Sequence, residues 1–144
     1  MTVVSHEREP GELGYVARYA KTVKELEATV RAGPAALRPD QREAVAWAHV
    51  QTEMLRLHVC RRLSERLDGM DHGPGGSVDK LLMTWVEQAV GSAALDVSGP
   101  AAITDPEDVA RKVYLYSRAQ SVMGGTSQIQ KNIVATRILG LPTA

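Results

Sequence analysis

The sequence predicts an all-α fold, an antiparallel four-helix bundle with a short extra C-terminal helix. Apolar residues recur three and four positions apart over four long stretches, the spacing that lines one face of a helix. Clusters of glycine and proline punctuate the chain between those stretches, and no strand-like alternation of useful length occurs. Phenylalanine is absent altogether, so the core must be built from Leu, Val, Ile, Ala and Met. That palette suits helix-on-helix packing better than a β-sandwich, which draws on aromatic and β-branched residues.

Taken in order, the first helix runs from Glu12 to Arg31 on the stripe Leu13, Val16, Ala17, Ala20, Val23, Leu26 and Val30, and Gly33-Pro34 ends it. Asp40 is the expected cap of the second, with Glu43 three residues on in the capping-box pattern. This helix passes through Ala44, Val45, Val50, Met54, Leu57, Val59 and Leu63 to about Leu67. Residues 68–76 form a glycine-rich loop, after which Ser77 caps a third helix from Val78 to about Val97, stopped by Gly99-Pro100. Thr104-Asp105-Pro106-Glu107 reads as the start of a fourth, with Pro106 near the first helical position and the end near Ser121. Thr126 caps the terminal helix, which Gly140 and Pro142 close.

A chain of 144 residues fits one domain, and at that size it can bury roughly 68–70% of the surface its unfolded form exposes. Seventeen basic and seventeen acidic residues cancel, which gives no reason to expect nucleic acid or an anionic membrane as partner. No apolar run approaches the roughly 18–20 residues that span a bilayer. The first residues lack the basic and apolar regions of a secretory signal. The lone Cys60 has no partner for an internal disulfide, which fits a reducing cytoplasm, and it is expected to be a small core residue. These features together predict a cytoplasmic protein without a membrane span.

Few residues are arranged for chemistry. His6, His49, His58 and His72 have no metal-ligand spacing, so no metal is expected, and Trp47 and Trp85 read as core. No nucleophile elbow, phosphate-binding P-loop or dinucleotide fingerprint occurs. Two segments stand apart. Glu7 and Arg8, beside an apolar start, read either as a surface ion pair or as a functional carboxylate with its neighbour. Gly124-Gly125-Thr126-Ser127-Gln128-Ile129-Gln130 is a glycine turn before a capped helix, and such a turn can present free backbone N–H groups to an anion.

The run from Gly124 to Pro142 resembles the ending of the acyl-CoA dehydrogenase family, Gly-Gly-Thr-Ser-(Glu/Gln)-Ile-Gln-(Arg/Lys)-Asn-Ile-(Ile/Val)-Ala-x-Arg-(Ile/Leu)-Leu-Gly-Leu-Pro. Tyr114–Ala119, Lys80–Gln88 and Val97–Pro100 resemble the segments that precede it, and the first eight residues resemble the start of the C-terminal domain of that family. The resemblance implies a C-terminal four-helix-bundle domain. The N-terminal helical and middle β domains of the family are not matched by any part of this sequence.

It further implies a flavin-facing role in FAD-dependent α,β-dehydrogenation of an acyl-CoA thioester. Gly124, Gly125, Thr126 and Gln128 match the cofactor-contacting loop. Many members carry the catalytic glutamate at the position of Gly124; a subset has glycine there and a glutamate matching Glu7, the arrangement of this chain. Glu7 is then the implied catalytic base, with Arg8 as its substrate-side neighbour. The family's Arg-x-x-Phe-Gly segment is replaced by Arg31-Ala-Gly-Pro-Ala-Ala-Leu37, and its Gln-x-x-Gly-Gly by Asp96-Val-Ser-Gly-Pro100. The expectation is a chain catalytically silent on its own that assembles as a dimer or tetramer of bundles. The alternative is a non-catalytic helical module that associates with a separate dehydrogenase chain.

Overall fold

A computed structural model describes residues 12–33, 37–70 and 73–142. Among them the chain is helical and carries no strand, as the apolar spacing requires. The elements are α1 (Glu12–Ala32), α2 (Pro39–Leu67), a 3-10 turn (Gly73–Gly75), α3 (Gly76–Ser98), a short α4 (Pro100–Thr104), α5 (Val109–Ala119) and α6 (Ser127–Ile133). A π-helical turn, Val134–Ile138, follows α6 directly.

The core follows the periodicity of each helix. Val16, Tyr19, Val23 and Leu26 on α1 meet Val45, Ala48, Leu55 and Val59 on α2 and Val86, Val90, Ala93 and Ala94 on α3. Helix α3 is the axis of the molecule, because it packs against α1, α2, α4, α5 and α6 alike. Gly91 lets α5 come close: a Cβ there would stand 3.3 Å from the Cα of Tyr114.

Three starts differ from the sequence reading. Helix α2 begins at Pro39 with Arg38 as its cap, and Gln41 supplies the reciprocal contact, its Oε1 accepting the Arg38 N–H at 2.9 Å. Asp40 is therefore inside the first turn. Its carboxylate pairs with the Arg38 guanidinium at 2.9 Å, and that guanidinium also reaches Asp96 at 3.1 Å. Helix α3 begins at Gly76, one residue before Ser77, after the 3-10 turn. The largest correction concerns the fourth long helix. Asp105 spends its side chain on the N–H of Glu107 (2.9 Å), which closes a turn instead of opening a helix. Asp108 is the true cap, accepting the Arg111 N–H at 2.9 Å, so α5 starts at Val109.

Burial brings further corrections. Trp47 and Trp85, expected in the core, are 58% and 49% exposed, and Cys60 is exposed as well. On α2 the inward face is Val45, Ala48, Thr52, Leu55 and Val59, while Trp47, Val50, Met54 and Leu57 form a second apolar stripe that faces outward. Trp47 and Met54 of that stripe, with Leu82 and Trp85 of α3, bound an apolar groove of about 310 Å³.

Leu55 and Leu57 separate the two faces of α2. Leu55→Ala, at a position with no exposed surface, is expected to destabilise the fold by about 2–5 kcal/mol in urea melts. Leu57→Ala, at a position 59% exposed, should stay within about 0.5 kcal/mol of the parent in the monomer.

Candidate functional site

The glycine loop hangs between the C-terminus of α5 and the start of α6, and α3 fixes it from below. The Lys80 ammonium donates to the backbone carbonyl of Gln120 at 2.6 Å and to its side-chain Oε1 at 3.1 Å. Thr84 Oγ1 lies 3.3 Å from the same carbonyl. A cation at the last carbonyls of α5 answers the negative end of that helix. Burial pulls the Lys80 pKa below the usual lysine value, partly offset by Glu87, so this ammonium is held by its acceptors at a cost in hydration.

Beyond Gln120 the N–H groups of Val122 and Met123 both return to the carbonyl of Ala119 at 2.9 Å, which turns the chain back. Gly124 and Gly125 then take φ +63° and +97°, the left-handed region in which an L side chain is strained. Thr126 stops the turn and starts α6, its Oγ1 accepting the Ile129 N–H at 3.3 Å. The Ser127 N–H ties back to the carbonyl of Ser121 at 2.9 Å. Gln130, fully buried, donates from Nε2 to the carbonyl of Gly124 at 3.0 Å, while its Oε1 has no partner. A Cβ at Gly125 would stand 2.7 Å from that Nε2, so glycine is required there on grounds of both φ and space.

Of the residues the sequence reading groups here, Gly124 and Gly125 form the turn, Thr126 caps α6 and Gln128 lies in its first turn. Gln128 is exposed and Thr126 half-buried. The N–H groups of Gly124, Gly125 and Thr126 donate to no acceptor among the described residues. Three such donors on one short turn could hold an anionic group. A Cβ at Gly124 would meet only Lys80 Cε, at 3.8 Å, so space adjoins the loop. Glu7 and Arg8 lie outside the described residues. Lys80, Gln120 and Gln130 were not singled out in the sequence. Only the last could have been, because Gln130 sits at a helix position of the tail motif where an apolar residue would be the ordinary core choice.

No group of three or more His, Cys, Asp or Glu among the described residues could hold a metal, and no described helix is long and apolar enough to cross a membrane. Away from the loop, α3 carries two buried carboxylates. Glu87 takes hydrogen bonds from Arg18 and from the Tyr19 hydroxyl (3.2 Å), and Arg18 also lies over the rings of Tyr15 and Tyr19. Burial and the Glu87 charge push the Tyr19 hydroxyl well above its ordinary value, so it stays a donor at any physiological pH. Asp79 pairs with His58 and accepts from Arg62 Nη2 at 3.2 Å.

The double-glycine loop is thus held against the N-terminal half of α3, at the end of the helical bundle's last connection. The model of the acyl-CoA dehydrogenase C-terminal domain matches residues 11–139, and the chain belongs to that family. Acyl-CoA dehydrogenase IpdE1 of Mycolicibacterium smegmatis is 32% identical over 99% of this chain and 36% of its own length. The protein of the same name from Mycobacterium tuberculosis is 30% identical, over 99% of this chain and 37% of its own. The chain therefore spans little more than a third of these relatives. Among solved structures, a steroid acyl-CoA dehydrogenase, the Tcur3481-Tcur3483 G363A variant, superposes with a TM-score of 0.77 over 98% of this chain and 39% of that one, at 20% identity. That likeness attests the bundle fold.

The strain and crowding at Gly125 can be separated experimentally. Gly140→Ala, at φ +66° with nothing within 4 Å, carries conformational strain alone, about 1–2 kcal/mol. Gly125→Ala must also displace Gln130, and a thermal melt should show a larger loss, roughly 2–4 kcal/mol.

Proposed function

We propose that this chain is the flavin-facing C-terminal domain of an acyl-CoA dehydrogenase-like oxidoreductase, and that it is catalytically silent in isolation. The glycine loop carries the reading: its free N–H groups, the Thr126 hydroxyl and the exposed Gln128 amide all lie on the same short segment. Gly124 and Gly125 would allow close approach of the cofactor, and Thr126 and Gln128 would hold its polar part. Bound FAD supplies a hydride acceptor. Glu7 is the proposed base for the α-proton of the thioester, with Arg8 beside it. For that work Glu7 needs desolvation enough to bring its pKa toward the working pH. We ascribe that silence to further walls of the cofactor and acyl-CoA sites in the part of the relatives, nearly two thirds of their length, that this chain does not span.

We further propose that the chain is homo-oligomeric, a dimer or tetramer of bundles. The exposed tryptophans and the outward stripe of α2 give it an apolar face unusual for a solvated surface. The same face favours a second reading, a non-catalytic helical module seated on a separate dehydrogenase chain.

Two measurements test these readings. Purified alone, the chain should remain colourless after incubation with FAD and gel filtration. Grafted in place of the corresponding C-terminal domain of the M. smegmatis relative, it should restore about one flavin per chain and acyl-CoA oxidation. Glu7→Gln in the chimaera should then lower turnover by about 10²–10⁴ while leaving flavin content intact; an undiminished rate assigns the base elsewhere. Sedimentation of the isolated chain should give a dimer or tetramer, and Trp47→Glu with Trp85→Glu should return it to a monomer without loss of helicity. Monomeric parent protein sinks the oligomer proposal.

A further inference from the structure

Under the glycine loop, Lys80 carries a charge that no carboxylate takes up. Its ammonium donates to the main-chain carbonyl of Gln120 at 2.6 Å and to the Gln120 Oε1 at 3.1 Å, both neutral acceptors. No described residue forms an ion pair with it. The carboxylate that acts on it, Glu87, stands about two turns further along α3 and is held by Arg18 and the Tyr19 hydroxyl. The lysine is half-buried, so water and salt screen its charge less than they screen a surface ammonium.

The segment that Lys80 holds is the one from which the loop hangs. The Val122 and Met123 N–H groups turn back to the Ala119 carbonyl, and the Ser127 N–H closes on the Ser121 carbonyl, each at 2.9 Å. Residues 119–121 thus carry the turn, and Lys80 ties them to α3 with Thr84 beside it. The lysine stem also passes the loop itself, with Cε 3.8 Å from where a Cβ of Gly124 would stand. One side chain therefore sets the direction of the Gly124, Gly125 and Thr126 N–H groups and places a positive charge behind them. At so short a range a full charge adds to the partial charges of the amides it supports.

We propose that Lys80 is a positioning residue for the cofactor of this loop, holding the turn through Gln120 and favouring negative charge on the bound flavin. The proposal rests on the flavin reading above. Two-electron reduction makes a flavin more negative, so a cation behind the loop favours the reduced form and raises the reduction potential.

Two measurements test it, one without flavin and one with it. In the full chain, hydrogen exchange at the Val122, Met123 and Ser127 amides should quicken about tenfold or more in Lys80→Met. Lys80→Arg, which keeps donor and charge, should restore the parent rates. Lys112→Met, which removes an exposed lysine paired with Glu107, should leave them unchanged. In the chimaera, Lys80→Met should shift the two-electron equilibrium of the bound flavin about tenfold towards the oxidised form, about 30 mV, and Lys80→Arg should reverse the shift. Thr84→Val removes a neutral tie from the same carbonyl and should move the potential much less. Should Lys80→Met lose helicity by circular dichroism, Lys80→Gln takes its place. Unchanged exchange in the folded variant overturns the hold on the loop. Flavin bound with an unmoved potential, or moved equally by Thr84→Val, overturns the role of the charge. A parent chimaera that takes up no flavin overturns the flavin reading instead, and the exchange rates still decide whether Lys80 holds the loop.

Discussion

Two carboxylates buried on one helix govern the arrangement of the rest. Asp79 and Glu87 lie on α3, each 2% exposed, and each is met by cations and donors from a different neighbour. Arg62 and His58 come from α2 and close on Asp79; Arg18 and Tyr19 come from α1 and close on Glu87. An apolar interface between helices tolerates small axial slips, because leucine against valine is nearly as good one ångström along. A buried carboxylate does not, since losing its partners leaves a desolvated charge that costs about 3–5 kcal/mol. The pairs therefore set register more than they add stability. Arg18 is about half exposed, so its contribution through Glu87 is further reduced by solvent screening.

Register along α3 is what positions the loop. Lys80 follows Asp79 directly, and Thr84 is about one turn further on; both end on the carbonyl of Gln120. If α3 is fixed against α1 and α2 by its carboxylates, the end of α5 is fixed against α3 by that lysine. From Gln120 the chain has only six residues to reach Thr126, and the buried Gln130 amide clamps the turn from the other side. The loop is thus rigid without being covered. Its N–H groups are held in place by these ties alone, so the turn is ordered in advance.

Most of this was legible in the chain, and the errors have two causes. The end of α2, the cap at Thr126 and the glycine turn rest on local chemistry and stand, while the α1 stripe holds at Val16, Val23 and Leu26 but not at Leu13 or Ala17, which are exposed. The capping sites at Asp40 and Asp105 failed because an aspartate near a helix start has several uses: one pairs with Arg38, the other closes a turn. Trp47 and Trp85 failed for a different reason. Period and apolarity report that a face is hydrophobic and say nothing of what covers it, and α2 is apolar on two faces. The polar ties of Lys80, Gln120 and Gln130 join positions up to 40 residues apart, beyond any local pattern.

The same geometry bears on why position 124 is glycine. Space is not the reason, since a Cβ there would meet Lys80 Cε at an ordinary 3.8 Å. The backbone is the reason, because φ +63° costs any L side chain about 1–2 kcal/mol. A carboxylate at this position would add a second difficulty. It would leave the chain beside the Lys80 stem, whose ammonium lies against Gln120 within the same turn, and a nearby cation favours the ionised, weakly basic form. A strong base is made by the opposite environment, desolvated and away from cations. With the lysine spent on holding α5, the loop is suited to presenting backbone donors and ill suited to carrying a strong base.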